Sequence, residues 1–192
     1  MKLNRVIFLV VMFLANYAIA QSSRSSVSYR SDSIASQGFR LALLKPVLKW
    51  EVKASADGQS ASANGDIDDA IGVSMGYASL PSEGIGWVAN MAYLTMKDGG
   101  TSNFLRLDGS AAISMNDSLN FKAGLNLSDI TSGGSSETID TGIGFQTGIG
   151  IQFNQTIGLD IGYTQMNQRG SQDGVSVDLK ETGMELGLNA TF

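Results

Sequence analysis

The 192-residue chain has no cysteine, no histidine and only two prolines. Beyond its first twenty residues it has no apolar run long enough to cross a membrane as a helix. Without cysteine, nothing in the fold rests on disulfides. Without histidine, the commonest general base is gone, and without either residue the usual ligands of zinc and other transition metals are missing. The shortage of basic residues, 13 Lys and Arg against 18 Asp and Glu, argues against nucleic acid as a partner. What the chain does have is 23 glycines and 43% hydrophobic residues, which describes neither a disordered tail nor a helical domain.

At the N-terminus, Lys2 and Arg5 precede the apolar run Val6 to Ala15, and Ala18-Ile19-Ala20 supplies a small-x-small cleavage site. This pattern predicts a secretory signal peptide over residues 1–20, cleaved after Ala20. A membrane anchor would need about 20 apolar residues, and Asn16 and Tyr17 interrupt the run well before that. Residues 21–37 are serine-rich with little to bury, and are expected to form a flexible periplasmic tail. Residues 38–192 are expected to form one domain.

From Phe39 onward the chain alternates apolar and polar residues in about eight segments separated by turn signals, the two-residue period of strands. Clear cases set Ile85, Trp87, Ala89, Met91 and Tyr93 on one face, and Leu119, Phe121, Ala123, Leu125 and Leu127 on one face of a later segment. The first segment groups Ala42, Leu44, Leu48, Trp50 and Val52 against Lys45, Lys49, Glu51 and Lys53, although Pro46 and the apolar Phe39, Leu41 and Leu43 blur its phase. The second groups Ile67 with Ile71, Val73, Met75 and Tyr77. In the last segment the phase shifts between Leu179 and Met184, which suggests a bulge near Thr182-Gly183.

A soluble sandwich and a barrel with lipid outside would share this alternation, so the side on which the apolar face lies decides the fold class. The connections alternate tight (Pro81 to Gly84, Asn116 to Ser118, Asn154-Gln155) and long (Ala54 to Gly65, Lys97 to Ser102, Thr131 to Thr138, Asn167 to Gly174). Laid up and down, the strands sort aromatics toward two heights: Tyr77, Trp87, Phe121, Phe153 and Phe192 toward the tight-turn end, and Trp50, Tyr93 and Tyr163 toward the other. Two aromatic belts are what interfacial anchoring requires. The opposite faces carry Lys49, Glu51, Arg106, Asp108, Lys122, Asp140 and Asp160, which can pair across a narrow lumen. The expected fold is all-β: an eight-stranded antiparallel up-and-down transmembrane β-barrel of the outer-membrane type.

The final residues resemble the C-terminal recognition signal of bacterial outer-membrane barrels, through Glu185, Gly187, Ala190 and Phe192, with Ala190 standing where a bulkier side chain is usual. The chain as a whole resembles the small outer-membrane barrels of the OmpA, OmpX and OmpW kind over residues 38–192. That resemblance implies residence in the outer membrane of a Gram-negative-type bacterium, among outer-membrane lipid and lipopolysaccharide. It also implies insertion by the barrel-assembly machinery with periplasmic chaperones.

The enzymes known among such barrels, which cleave or transfer lipid or protein groups, use a histidine, so a non-enzymatic role is expected, with no cofactor. Asp66, Asp68 and Asp69, close to Asp57, form a candidate oxygen-ligand group for a divalent cation, or an acidic rim. Glycines Gly142, Gly144, Gly148, Gly150, Gly158 and Gly162 fall on the inward face, leaving room for long side chains such as Arg106 or Lys122. Two functions follow: a structural or surface-interaction barrel, or a narrow porin-like pore or carrier for small, including hydrophobic, solutes.

Overall fold

The computed structural model describes residues 35–67, 69–97, 101–130, 138–139, 141–172 and 175–192. The expected signal peptide, nearly all of the expected tail, Asp68 and Asp140 lie outside the described residues. The strands are β1 Ser36–Ala56, β2 Gln59–Ile67, β3 Asp69–Leu80, β4 Ile85–Lys97, β5 Thr101–Asn116, β6 Leu119–Ile130, β7 Thr138–Ile139, β8 Gly142–Gln152, β9 Ile157–Gln172 and β10 Val175–Thr191. The first strand thus begins two residues before the expected boundary at Gly38.

Every pairing is antiparallel, and the hydrogen-bonded order β1-β3-β4-β5-β6-β8-β9-β10 returns to β1 through the β10–β1 ladder. Eight strands therefore close on themselves, a number that leaves an interior just wide enough for side chains to fill. The seam is fastened by reciprocal bonds between Phe39 and Phe192, N to O at 3.0 and 2.8 Å. Gly38, at φ 149°, passes so close to the Phe192 carbonyl that a Cβ there would sit 1.8 Å from the oxygen.

The tight turns are held by side chains that replace backbone partners. Asn116 Oδ1 accepts from the N–H groups of Ser118 and Leu119 at 2.9 Å each, and Asn154 Oδ1 accepts from those of Thr156 and Ile157 at 2.8 and 2.7 Å. These short turns lie at the end where Ser36 and Thr191 also sit.

The opposite end corrects the expected loop over Ala54 to Gly65. β1 continues to Ala56, turns through Asp57 (φ 50°) and Gly58 (φ 77°), and returns as β2, forming a hairpin paired from Leu48↔Ile67 to Ala56↔Gln59. Two consecutive residues at positive φ make the mirror-image turn that matches strand twist, and Asp-Gly is a preferred pair for it. The alternating serines and alanines of β2 form a strand too weakly hydrophobic to read as one. In the same way β9 runs to Gln172 and β10 starts at Val175, which leaves little of the loop expected over Asn167 to Gly174.

Between β2 and β3 the pairing with β1 slips by one residue, from Leu48↔Ile67 to Leu44↔Gly72. Pro46, which has no N–H to give, sits in β1 at this slip, where a ladder bond is absent on that side. The slip turns Ile67 inward, where it is buried, instead of outward with Ile71. No bulge interrupts β10: its ladder with β1 is continuous through Thr182 and Gly183.

Outside, the barrel is girdled by exposed apolar side chains, among them Leu41, Leu43, Val73, Met75, Leu125, Leu127, Phe145, Ile149, Leu186 and Leu188. A soluble protein does not expose a continuous apolar band of this extent, while a barrel in lipid requires one.

Candidate functional site

The alternation that faces lipid on one side places polar and charged groups on the other, and the lumen sorts them into layers. Nearest the tight turns, Asp160 on β9 receives both the Arg40 guanidinium from β1 and the Lys122 ammonium from β6. One level further, Arg106 on β5 binds Asp108 Oδ1 through Nε at 2.8 Å and Glu185 Oε1 on β10 through Nη2 at 2.9 Å. Neutral pairs fill the gaps: Asn126 donates to Thr164 Oγ1 at 3.1 Å, Gln146 to Ser110 Oγ at 2.7 Å, and Gln168 to Ser128 Oγ at 2.8 Å. Three cations face three carboxylates here, so the buried charges compensate one another.

Glycine makes this packing possible. A Cβ on Gly150 would lie 2.5 Å from Asn120 Oδ1 and 2.9 Å from Lys122 Cε, so the missing side chain is the space that these two occupy.

Toward the far end the lumen turns apolar. Leu44, Leu48, Ile67, Leu94, Met96, Phe104 and Met166 pack into one buried cluster, with Trp50 against it. Buried Glu181 stands directly across the ladder from Trp50. Among the charged layers remains a cavity of about 80 Å³, bordered by Arg40, Arg106, Lys122 and Asp160. At about 30 Å³ per molecule in the liquid, it has room for a few waters.

The candidate lumen residues therefore fall into groups. Arg106, Asp108, Lys122 and Asp160 point inward and are paired as described. Lys49 and Glu51 do not: both face outward on the hairpin, Lys49 bonded to Asp66 at 3.4 Å and Glu51 to Lys53 at 3.2 Å, on well-exposed side chains. Trp50 is the matching correction, turned into the lumen instead of toward the interface. The cause is an inversion of polarity. Toward the tight turns the surroundings are lipid and the lumen is polar, while along the hairpin the outer face carries charged side chains and Trp50 and Ile67 join the apolar interior, as in a soluble protein. The shift of phase in β10 has this same origin, with Val177 and Leu179 on the inward face and Met184 on the outward one.

The other expected interface aromatics lie on the outer surface. Tyr77 and Trp87 stack with ring centroids 5.6 Å apart, Tyr163 leans on Phe145 at 6.2 Å, and Tyr93, Phe121, Phe153 and Phe192 are exposed. Of the terminal signal residues, Glu185 and Gly187 face the lumen, while Ala190 and Phe192 are on the outer face with Leu186 and Leu188. Asp66 is engaged by Lys49, Asp69 is exposed at the start of β3, and among the described residues no three acidic side chains gather as a metal-binding group. Arg40 and Glu181 were missed. The signal for Arg40 was its place between Phe39 and Leu41, two residues that belong on the lipid side.

No family model and no curated protein matches the chain. Among solved structures, it is similar to Neisserial surface protein A, with 19% identity, 82% of this chain and 99% of that chain covered, and a TM-score of 0.44. It is similar also to Ail, the attachment invasion locus protein of Yersinia pestis, with 13% identity, coverage of 79% and 99%, and a TM-score of 0.37. The outer membrane protein OprG from Pseudomonas aeruginosa aligns at 12% identity, with coverage of 82% and 99% and a TM-score of 0.36. At these identities and scores the functional reading rests on the barrel's own geometry.

Proposed function

We propose that the chain is a non-enzymatic outer-membrane barrel whose role is surface interaction through the strands that extend beyond its lipid belt. One observation carries this reading: among the described residues the lumen holds charged pairs below and an apolar stopper above, with a cavity of about 80 Å³ among the charged pairs. The polar, exposed hairpin of β1 and β2 and the adjoining ends of β9 and β10 are then the parts able to meet a partner. On this reading the apolar girdle sits among outer-membrane lipid and lipopolysaccharide, and the barrel-assembly machinery and periplasmic chaperones deliver the chain there.

The carboxylates Asp108, Asp160 and Glu185 each hold a guanidinium or ammonium group, which suits a plug. Purified protein in planar bilayers is expected to be silent. Stable single-channel openings would sink the closed-barrel reading in favour of a narrow pore.

A further inference from the structure

β2 is bonded to β1 along one edge, and from Gln59 to Asn64 each of its residues is exposed. Among the described residues nothing pairs with the other edge. Natural edge strands are normally guarded by lysine, proline or a bulge, yet Gln59 to Gly65 contains no charged residue and no proline. The two-residue turn makes Ala56–Gln59 the first bonded pair of the hairpin, so Ser60, Ser62 and Asn64 direct their N–H and C=O groups to the open side. An unguarded row of donors and acceptors on a projecting hairpin is a template for strand addition.

Resting on the surface-interaction reading, we propose that this edge pairs antiparallel with β2 of a second copy of the chain held in an opposed membrane. The symmetry decides the geometry. The two-fold axis that pairs a strand antiparallel with itself is perpendicular to the sheet. Because the sheet stands upright on the barrel, that axis lies parallel to the membrane and inverts the second barrel. Two copies side by side in one membrane are related by an axis along the membrane normal, which makes their β2 strands run parallel and cannot form this ladder.

Centred on Ser62, the pairing sets Ser62 against Ser62, Ala61 of one copy against Ala63 of the other, and Ser60 against Asn64. Small residues share one face and hydroxyl or amide groups share the other. Asp66, the one charge in this ladder, meets Gly58 of the second copy and is already held by Lys49. Like charges therefore do not meet across the ladder, even though the chain is acidic overall. At about 3.3 Å per residue the hairpins overlap over roughly 30 Å.

The test is clustering of lipid vesicles carrying the purified full barrel, read by light scattering. Wild-type vesicles are expected to cluster. Ser62→Pro, which removes an outward N–H and no bond to β1, is expected to reduce clustering at least tenfold while the heat-dependent gel mobility of the folded barrel is kept. Because the chain has no cysteine, Ala61→Cys vesicles mixed with Ala63→Cys vesicles are expected to give oxidised dimers that neither population gives alone.

The proposal is overturned if wild-type vesicles stay dispersed, if Ser62→Pro clusters as well as wild type, or if cysteine dimers form within one population. Dispersed vesicles that still bind intact cells would remove the self-pairing and leave the surface-interaction reading in place. Channel openings in bilayers would remove that reading itself.

Discussion

Arg106 Nη2 reaches Glu185 Oε1 at 2.9 Å from the opposite wall of the barrel, β5 and β10 being four strands apart in the ring of eight. The contact ties the middle of the sequence to the strand that closes the seam. The same guanidinium holds Asp108 at 2.8 Å, and its side chain is only 3% exposed, so the charge is almost entirely withdrawn from water. Burial of this kind makes an ion pair costly to break from one side, because the partner left behind stays desolvated.

Arg106→Met is therefore expected to lower stability by about 3–5 kcal/mol, since two carboxylates lose their cation. The triple change Arg106→Met, Asp108→Asn, Glu185→Gln keeps the shapes and removes all three charges, and should recover most of that loss. Urea unfolding in lipid vesicles measures both. A single variant within 1 kcal/mol of wild type, the size of an exposed pair, would mean that the network does not hold the seam.

Strand number, the tight turns and the lipid face were legible in the sequence because Leu125, Ile149 and Leu186 alternate with small or polar residues inside the belt. Legibility failed at the outer end, and for one physical reason. Periodicity reports which face is apolar, not which face is inside, and the relation between the two reverses where lipid gives way to water. Trp50, Val52 and Leu179 obey the soluble rule, while Leu43 and Leu186, lower on the same strands, obey the membrane rule. The hairpin of β1 and β2 was missed for a second reason: Ser60 to Gly65 are too small to give an alternation of hydrophobicity, although Asp57-Gly58 marked the turn. The Arg106–Glu185 pair needed the ring itself, since no spacing in the sequence places two strands on opposite walls.

The inversion makes the two tryptophans report opposite surroundings. Trp87 lies on the outer surface against Tyr77 and Trp50 packs inside against the stopper. In vesicles containing brominated lipid, the fluorescence of Trp50→Phe, which retains only Trp87, should be strongly quenched. That of Trp87→Phe should be hardly affected. Equal quenching of both would place Trp50 on the lipid side and reverse the assignment of Lys49 and Glu51.

Gly150 tests the lumen packing. Its missing side chain is the space taken by Lys122 Cε and Asn120, and Lys122 must lie there to reach Asp160. Gly150→Val is expected to cost about 1–3 kcal/mol through overpacking. Adding Lys122→Ala to it should recover part of the loss by vacating the same space. Losses that simply add would show that the valine strains the backbone and not the lysine.

Leu125 separates lipid from water as the medium outside the barrel. Its side chain is 66% exposed on β6, directly across from Phe145, with Leu127 on the same face. On a water-soluble surface an exposed leucine changed to arginine would leave stability within about 0.5 kcal/mol of the original. In the middle of a bilayer the same change costs about 2–4 kcal/mol, because the guanidinium must be drawn to the interface or hydrated within the acyl region. Lys53→Leu on the outer face of the hairpin supplies the converse, a charge removed where water is the medium, and should change stability little. Refolding into vesicles and measuring unfolding midpoints for both variants gives the comparison. A large penalty at Leu125 with none at Lys53 locates the edge of the lipid belt between them, and a tolerated Leu125→Arg would put water where the barrel's outer face requires lipid.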